Sequence, residues 1–195
     1  MSRKAEITRT TKETDIRLSL DIDGTGKGEI STGIGFFDHM LEGFARHGFF
    51  DLTCNVKGDL NVDGHHTVED TGIVMGNAIK DALGDKAGIR RYGHFTLPMD
   101  DALITVAVDL CGRPYFNYDL KFDVEKIGDL DTELIREFFY AVSYSAGMNL
   151  HIKMLDGING HHIAEAAFKA FAKALDMATQ TDPRVEGVLT TKGSL

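Results

Sequence analysis

Apolar and polar residues alternate along 5–11 and again along 15–23, in a stretch rich in Ile, Leu and Thr. A period of two sends alternate side chains to opposite faces, so the pattern predicts a β-hairpin with one buried face. The period changes at 36–47. There Phe36, Phe37, Met40, Leu41 and Phe44 recur at three- and four-residue spacing and predict a helix with an apolar stripe. Alternation returns from Phe49 to Lys57. A second helical pattern follows Gly64, carries Val68, Ile73, Val74, Met75, Ile79, Ala82 and Leu83, and ends at Gly84. The chain then runs a similar series again: strands near 93–98, 102–110 and 114–122, a helix at 132–146, a strand at 148–155 and a helix at 161–179. The Asp-rich stretch from Asp119 to Asp131 reads as a solvated loop and edge.

The similarity extends to identities. Asp63-Gly64-His65-His66-Thr67-Val68-Glu69 recurs 96 positions on as Asn159-Gly160-His161-His162-Ile163-Ala164-Glu165. Ser19 to Gly24 resembles Ala107 to Gly112, displaced by 88. The expected fold is therefore α+β: a tandem of two similar halves, each a small antiparallel sheet with two helices on one face. The halves span about 1–88 and 89–185, with a C-terminal tail beyond. No long linker separates them at Gly84 to Arg91, so helix-on-helix packing merges them into one body.

Composition sharpens this picture in four places. A chain of 195 residues with 43% hydrophobic and 26% charged residues can bury a full core. A net charge of -9 excludes a general basic field for nucleic acid but leaves room for one small basic pocket. No apolar run is long enough to span a membrane, and the first residues lack the apolar core of a secretory signal. The expected location is the cytoplasm, with Cys54 and Cys111 as buried free thiols. Eight histidines are the unusual entry in the composition.

The twin motifs account for half of them. Positions i and i+4 share a helix face, so His65 points with Glu69 and His161 with Glu165, while His66 and His162 are rotated by about 100°. Each helix start can hold one metal with a His–Glu pair and offer a second imidazole to another. Spacing alone suggests one site from His65, Glu69 and His162 and another from His161, Glu165 and His66. Mixed imidazole and carboxylate ligation suits Mn, Fe, Co, Ni or Zn. His39, one helix earlier, is a further candidate; the repeat places Glu137 at its equivalent. Among basic residues, Arg90 and Arg91, Arg113 between Gly112 and Pro114, and Thr190-Thr191-Lys192-Gly193 are candidates for a phosphate pocket.

Along nearly its whole length the chain resembles the imidazoleglycerol-phosphate dehydratase family. The resembling segments are Gly35 to Leu41, Asp63 to Ile73, Pro98-Met99-Asp100-Asp101, Gly112 to Tyr115, His161 to Leu175 and Thr191-Lys192-Gly193. The resemblance implies a fold of the ribosomal protein S5 domain 2-like kind and two Mn(II) ions per active site. It also implies a small phosphorylated substrate, and a homo-oligomer of 24 subunits built from trimers with cubic symmetry and active sites where subunits meet. It assigns one metal to His39, His66, His161 and Glu165. The other goes to His65, Glu69 and His162, with Glu137 where the family carries a histidine. It places Arg91, Arg113, Thr191, Lys192 and Gly193 at the substrate phosphate. His47 and Lys169 join as weaker substrate contacts, beside the ligands His39, His65, Glu69 and His161, and Glu13 stands near the substrate. Glu13, Glu69 and Glu165 are the candidate catalytic carboxylates.

The implied reaction removes a carbon-bound proton that no carbonyl acidifies. Two divalent ions flanking an imidazole favour its imidazolate form, and the electron-rich ring can then expel the adjacent hydroxyl. Glu13 is the candidate proton shuttle. Two other classes compete on the motifs alone. A metal-dependent hydrolase needs an open metal position for water. A metal-storage protein has no use for Arg113, Lys192 or Glu13. No phosphatase domain accompanies the chain, so only the dehydration step is expected.

Overall fold

The computed structural model describes residues 3–193. The N-terminal half runs β1 (Lys4–Thr10), β2 (Thr14–Asp21), β3 (Gly28–Ser31), α1 (Gly35–Gly48), β4 (Asp51–Gly58) and α2 (His65–Leu83). The C-terminal half runs β5 (Tyr92–Met99), β6 (Ala102–Asp109), β7 (Tyr115–Asp119), the short pair β8 (Lys126–Ile127) and β9 (Leu130–Asp131), α3 (Thr132–Ala146), β10 (Asn149–Asp156) and α4 (Gly160–Thr179). The sheets have matching strand orders, β1-β2-β4-β3 and β5-β6-β10-β7. Their registers also match: Arg9 lies opposite Ile16 as Leu97 lies opposite Ile104. The shift between halves is 88 in the hairpins and 96 at the motifs, and β8–β9 is the main insertion that separates the two values.

The α+β tandem holds, with one correction to the strand directions. Each sheet carries a parallel pair, β3 with β4 and β7 with β10. The cause is the helix between the paired strands. A crossover through α1 or α3 returns the chain at the same end of the sheet, which only parallel pairing accommodates. Strand β3 has four residues, none of them buried, so no alternation announced it.

The helices lie between the two sheets. Helix α2 covers β1 and β2 and is crossed by α3; α4 covers β5 and β6 and is crossed by α1. Each half thus closes the core of the other. Gly72 and Gly76 face α3, where an added Cβ would stand 2.8 Å from Ala141 Cβ and 2.7 Å from Ser145 Cβ, so the two backbones approach as side chains would forbid. A chain of aromatic contacts fills the centre. Phe37 meets Phe138 edge-on at 5.3 Å, Phe138 stacks on Phe168 at 5.2 Å, and Phe44 stacks on Phe171 at 5.5 Å.

The Asp-rich stretch does more than the solvated loop expected of it. Asp129, between β8 and β9, accepts hydrogen bonds from the amides of Gly35 (2.6 Å) and Phe36 (3.0 Å). A residue of the C-terminal half therefore caps the helix that carries His39. The tail is also tied down. Ile89 bridges Thr181, and the Gly88 amide donates to the Gly187 carbonyl at 2.7 Å, so tail and inter-half segment form one structure.

Candidate metal centre and anion cleft

The first residue of each motif organises the helix start. Asp63 Oδ1 accepts the His65 amide at 2.8 Å; Asn159 Oδ1 accepts those of His161 (2.9 Å) and His162 (3.3 Å). These amides have no partner within their helices, so Asp or Asn at this place fixes where the imidazoles begin.

Because α1 crosses α4, His39 lies beside the second motif. Nitrogen or oxygen donors of His39, His161 and Glu165 all lie within 4.8 Å of one another. His161 Nε2 is 3.0 Å and His39 Nε2 3.7 Å from Glu165 Oε2. Lys169 Nζ holds the other carboxylate oxygen at 2.7 Å. Burial, the strongest influence on Glu165, would raise its pKa. Lys169, His161 and His39 together outweigh burial and hold the carboxyl below its ordinary range. The group stays an anion, as a ligand must. His47, two turns along α1 from His39, is shifted down by burial and then by Lys169 and Lys173, which favours a neutral imidazole.

In the other motif His65 Nε2 stands 3.8 Å from Glu69 Oε2. His66 and His162 share a different arrangement. His66 Nδ1 is 3.0 Å from Asp59, and His162 Nδ1 is 2.6 Å from Asp101. Both imidazoles are raised, in each case chiefly by that hydrogen bond. Asp101 is held far below the carboxylate range by His162 and by the amides of Asn159 and Ile158. A carboxylate on Nδ1 fixes the ring's tautomer and aim and leaves Nε2 for a metal. The segment Pro98 to Asp101 already marked Asp101 as part of the resemblance. Asp59 carried no signal, because it lies in the loop before the motif and meets His66 only through the fold.

Within one chain, the described residues do not form the two sets suggested by spacing. His39, not His66, joins His161 and Glu165, because α1 rather than α2 crosses the start of α4. His162 turns to Asp100 and Asp101 rather than to His65 and Glu69. Glu137, on α3, pairs with its neighbour Arg136 at 2.9 Å and joins no three-donor group among the described residues. Two histidines outside the motifs, His94 and His151, flank Ala107 in one row across the C-terminal sheet, both exposed on its outer face. Neither has a carboxylate partner among the described residues.

At one end of that sheet, a cleft of about 520 Å³ is lined by Arg91, Tyr92, Arg113 and residues 189–192. Its arginines differ in role. Arg91 is buried, with Nε 2.7 Å and Nη2 3.1 Å from the Asp109 carboxylate and Nη1 2.7 Å from the Leu189 carbonyl. It anchors the tail. Arg113 and Lys192 are exposed, with no acidic partner among the described residues, and so are placed to meet an anion. Lys192 lies in a turn closed by its amide on Thr190 Oγ1 at 3.1 Å. Gly193, beside it, takes φ +82, a conformation easy only for glycine.

Histidine–carboxylate groups at paired helix starts and a separate cationic cleft define a candidate metalloenzyme acting on a small anionic substrate. The comparisons make the class particular: the chain belongs to the imidazoleglycerol-phosphate dehydratase family, whose model matches residues 32–175. It is 67% identical over its full length to the imidazoleglycerol-phosphate dehydratase of Lachnoclostridium phytofermentans and 60% identical to that of Acetivibrio thermocellus, each covered completely. The crystal structure of the Staphylococcus aureus enzyme superposes with a TM-score of 0.84 at 38% identity, covering 92% of this chain and 99% of that one. The Pyrococcus furiosus enzyme in complex with (S)-C348 gives 0.84 at 39% identity, covering 97% and 100%. The enzyme is thus a hydro-lyase of histidine biosynthesis. No helix among the described residues is long and apolar enough to cross a membrane.

Proposed function

We propose that this chain eliminates water from D-erythro-1-(imidazol-4-yl)glycerol 3-phosphate to give 3-(imidazol-4-yl)-2-oxopropyl phosphate, using two Mn(II) ions per active site. The observation that carries the metal reading is the convergence of His39, His161 and Glu165 within 4.8 Å, with Glu165 kept anionic. The donor set fits a divalent first-row metal. His66 and His162, each with Nδ1 occupied by a carboxylate, present Nε2 as the remaining donor. Bound there, the ions supply positive charge that favours the imidazolate form of the substrate ring.

The chain's own residues divide the remaining work. Arg113, Thr191 and Lys192 hold the phosphate, and Arg91 keeps the tail that carries two of them in place. Glu13 lies 3.8 Å from His66 Nε2, with its side chain half-exposed. It transfers protons between the substrate carbon that loses C–H and the neighbouring hydroxyl, which departs as water. The resulting enol tautomerises to the ketone.

His66 and His162 do not join the three-donor group of their own chain, so the complete site forms between copies, in a homo-oligomer of trimers with cubic symmetry. The fourth donor beside His65, Glu69 and His162 is Glu137, standing where the family carries a histidine, or a water in its place; within this chain Glu137 pairs with Arg136. Loss of bound Mn on Glu137→Gln identifies Glu137 as that donor; unchanged Mn content assigns the position to water. The overall reading is tested by following loss of imidazoleglycerol phosphate with Mn-loaded protein. Turnover that survives complete metal removal contradicts it. Sedimentation unchanged by chelation contradicts the shared site.

A further inference from the structure

The turn that carries Glu13 is tied to the first motif helix by a buried carboxylate. Asp70 follows Glu69 on α2 and is 6% exposed. Arg9, near the end of β1, donates to it through Nη1, and Thr14, the first residue of β2, donates through its hydroxyl. Both strands flanking the turn are therefore fastened to one carboxylate. Asp70 stands four residues after His66, so the same helix face meets Glu13 with its imidazole and the hairpin with its carboxylate. Inside the turn, Thr11 Oγ1 accepts the amides of Glu13 (3.1 Å) and Thr14 (3.0 Å), so the backbone bearing Glu13 moves with these anchors.

The other half shows that folding does not require this. At the equivalent positions Arg9, Thr14 and Asp70 become Leu97, Ala102 and Ala166. The two alanines are buried, and Leu97 packs against the core. The same hairpin sits on the same helix with apolar contacts. A buried ion pair often adds no net stability over well-packed apolar residues of similar volume, so stability alone does not explain the polar set. Its distinguishing company is the turn acid. Asp101, the equivalent of Glu13, is fixed directly by His162 and by two amides. Glu13 accepts no hydrogen bond from its surroundings among the described residues and has only the 3.8 Å approach to His66.

We infer that Asp70, with Arg9 and Thr14, is a positioning residue that holds the Glu13 carboxylate over the metal-bearing helix for proton transfer. The inference rests on the role proposed for Glu13.

Its test transplants the second half's residues into the first, as the triple variant R9L/T14A/D70A, with Asp70→Asn and Thr14→Val as milder companions should the triple not fold. Each is made in the wild-type and the Glu13→Gln background and loaded with Mn. In the wild-type background kcat is expected to fall about tenfold or more, as small misplacements of a catalytic group do. KM and Mn content stay within about twofold. In the Glu13→Gln background the same changes alter kcat by less than about twofold. Amide hydrogen exchange at residues 11–14 accelerates in the variants. An equal loss of kcat in both backgrounds, or an unchanged kcat, overturns the inference. Should Glu13→Gln itself keep full turnover, the role of Glu13 fails separately, and exchange alone decides whether Asp70 anchors the turn: acceleration sustains the anchoring, and unchanged exchange overturns it.

Discussion

The two halves place an acid at the same turn, Glu13 between β1 and β2 and Asp101 between β5 and β6, and treat it differently. Asp101 reaches Nδ1 of His162 at 2.6 Å and takes two backbone amides. Glu13 approaches the opposite nitrogen of His66 at 3.8 Å, while Asp59 occupies Nδ1. Duplication supplied two equivalent acids. In one half the acid holds the motif histidine. In the other, Asp59 from a different loop holds the motif histidine, and the turn acid accepts no hydrogen bond from its surroundings among the described residues.

The largest expected effect separates those duties. Glu13→Gln should lower kcat by about 10²–10⁴-fold, the usual worth of a general acid–base group, with Mn content intact. Asp101→Asn should leave the proton-transfer group in place and weaken metal binding by about 10–100-fold, as lost carboxylate support for a histidine ligand does. Turnover and Mn stoichiometry, measured on both variants, read the difference. If each variant lost both properties equally, the turn acids would share one role and the comparison would collapse.

The supporting carboxylates also set a pH dependence. The raised pKa values of His66 and His162 mean that their bonds to Asp59 and Asp101 stabilise the metal-free fold fully below the ordinary imidazole value, about 6.5. That contribution fades as pH rises through the raised values, and on the acid side it is lost once the aspartates protonate. Metal-free protein should therefore lose thermal stability as pH rises above about 6.5 more steeply than the variant D59N/D101N. Mn should reverse the slope, because the ligand is the deprotonated imidazole. Melting curves across that range, with and without Mn, measure both effects.

The cleft yields a smaller contrast. Arg113→Ala should raise KM by about 10–100-fold, with thermal stability unchanged, since it removes a charged contact of about 1.5–3 kcal/mol to the phosphate. Arg91→Ala should also release the tail, because Asp109 and the Leu189 carbonyl lose their partner. Limited proteolysis near residues 185–193 distinguishes them. Cleavage there in both variants, or in neither, removes the distinction between the two arginines.

Much of this was legible in the sequence because it is periodic or repeated. The alternating runs and apolar stripes marked the elements that bury one face, and the two copies of the motif exposed both the duplication and the candidate ligands. Strand β3 was hidden because none of its residues is buried. The pairing of His39 with His161 and Glu165 was hidden from spacing because it depends on which helix crosses which. Asp59 and Asp129 were hidden for a similar reason: each sits in a polar loop whose composition suggests solvent, and each meets its partner only when the chain closes. Glu137 stays legible in two ways, since a glutamate beside Arg136 on a helix reads identically as ligand or surface pair.

The smallest effect concerns that inter-half closure. Asp129→Ala should remove two hydrogen bonds at the start of α1 and lower stability by about 1 kcal/mol, within the range for lost helix caps. Its consequence for the site follows from the topology: among the described residues, α1 is the one element of the N-terminal half that brings a candidate ligand to the second motif, through His39. A frayed α1 start should therefore weaken Mn binding at the His39–His161–Glu165 group and spare the His65–Glu69 pair on α2. Titration of Mn into the variant should show one of two binding steps weakened. Two steps weakened equally would mean that the halves transmit the loss as one body, and that the cap does not act on its own half-site.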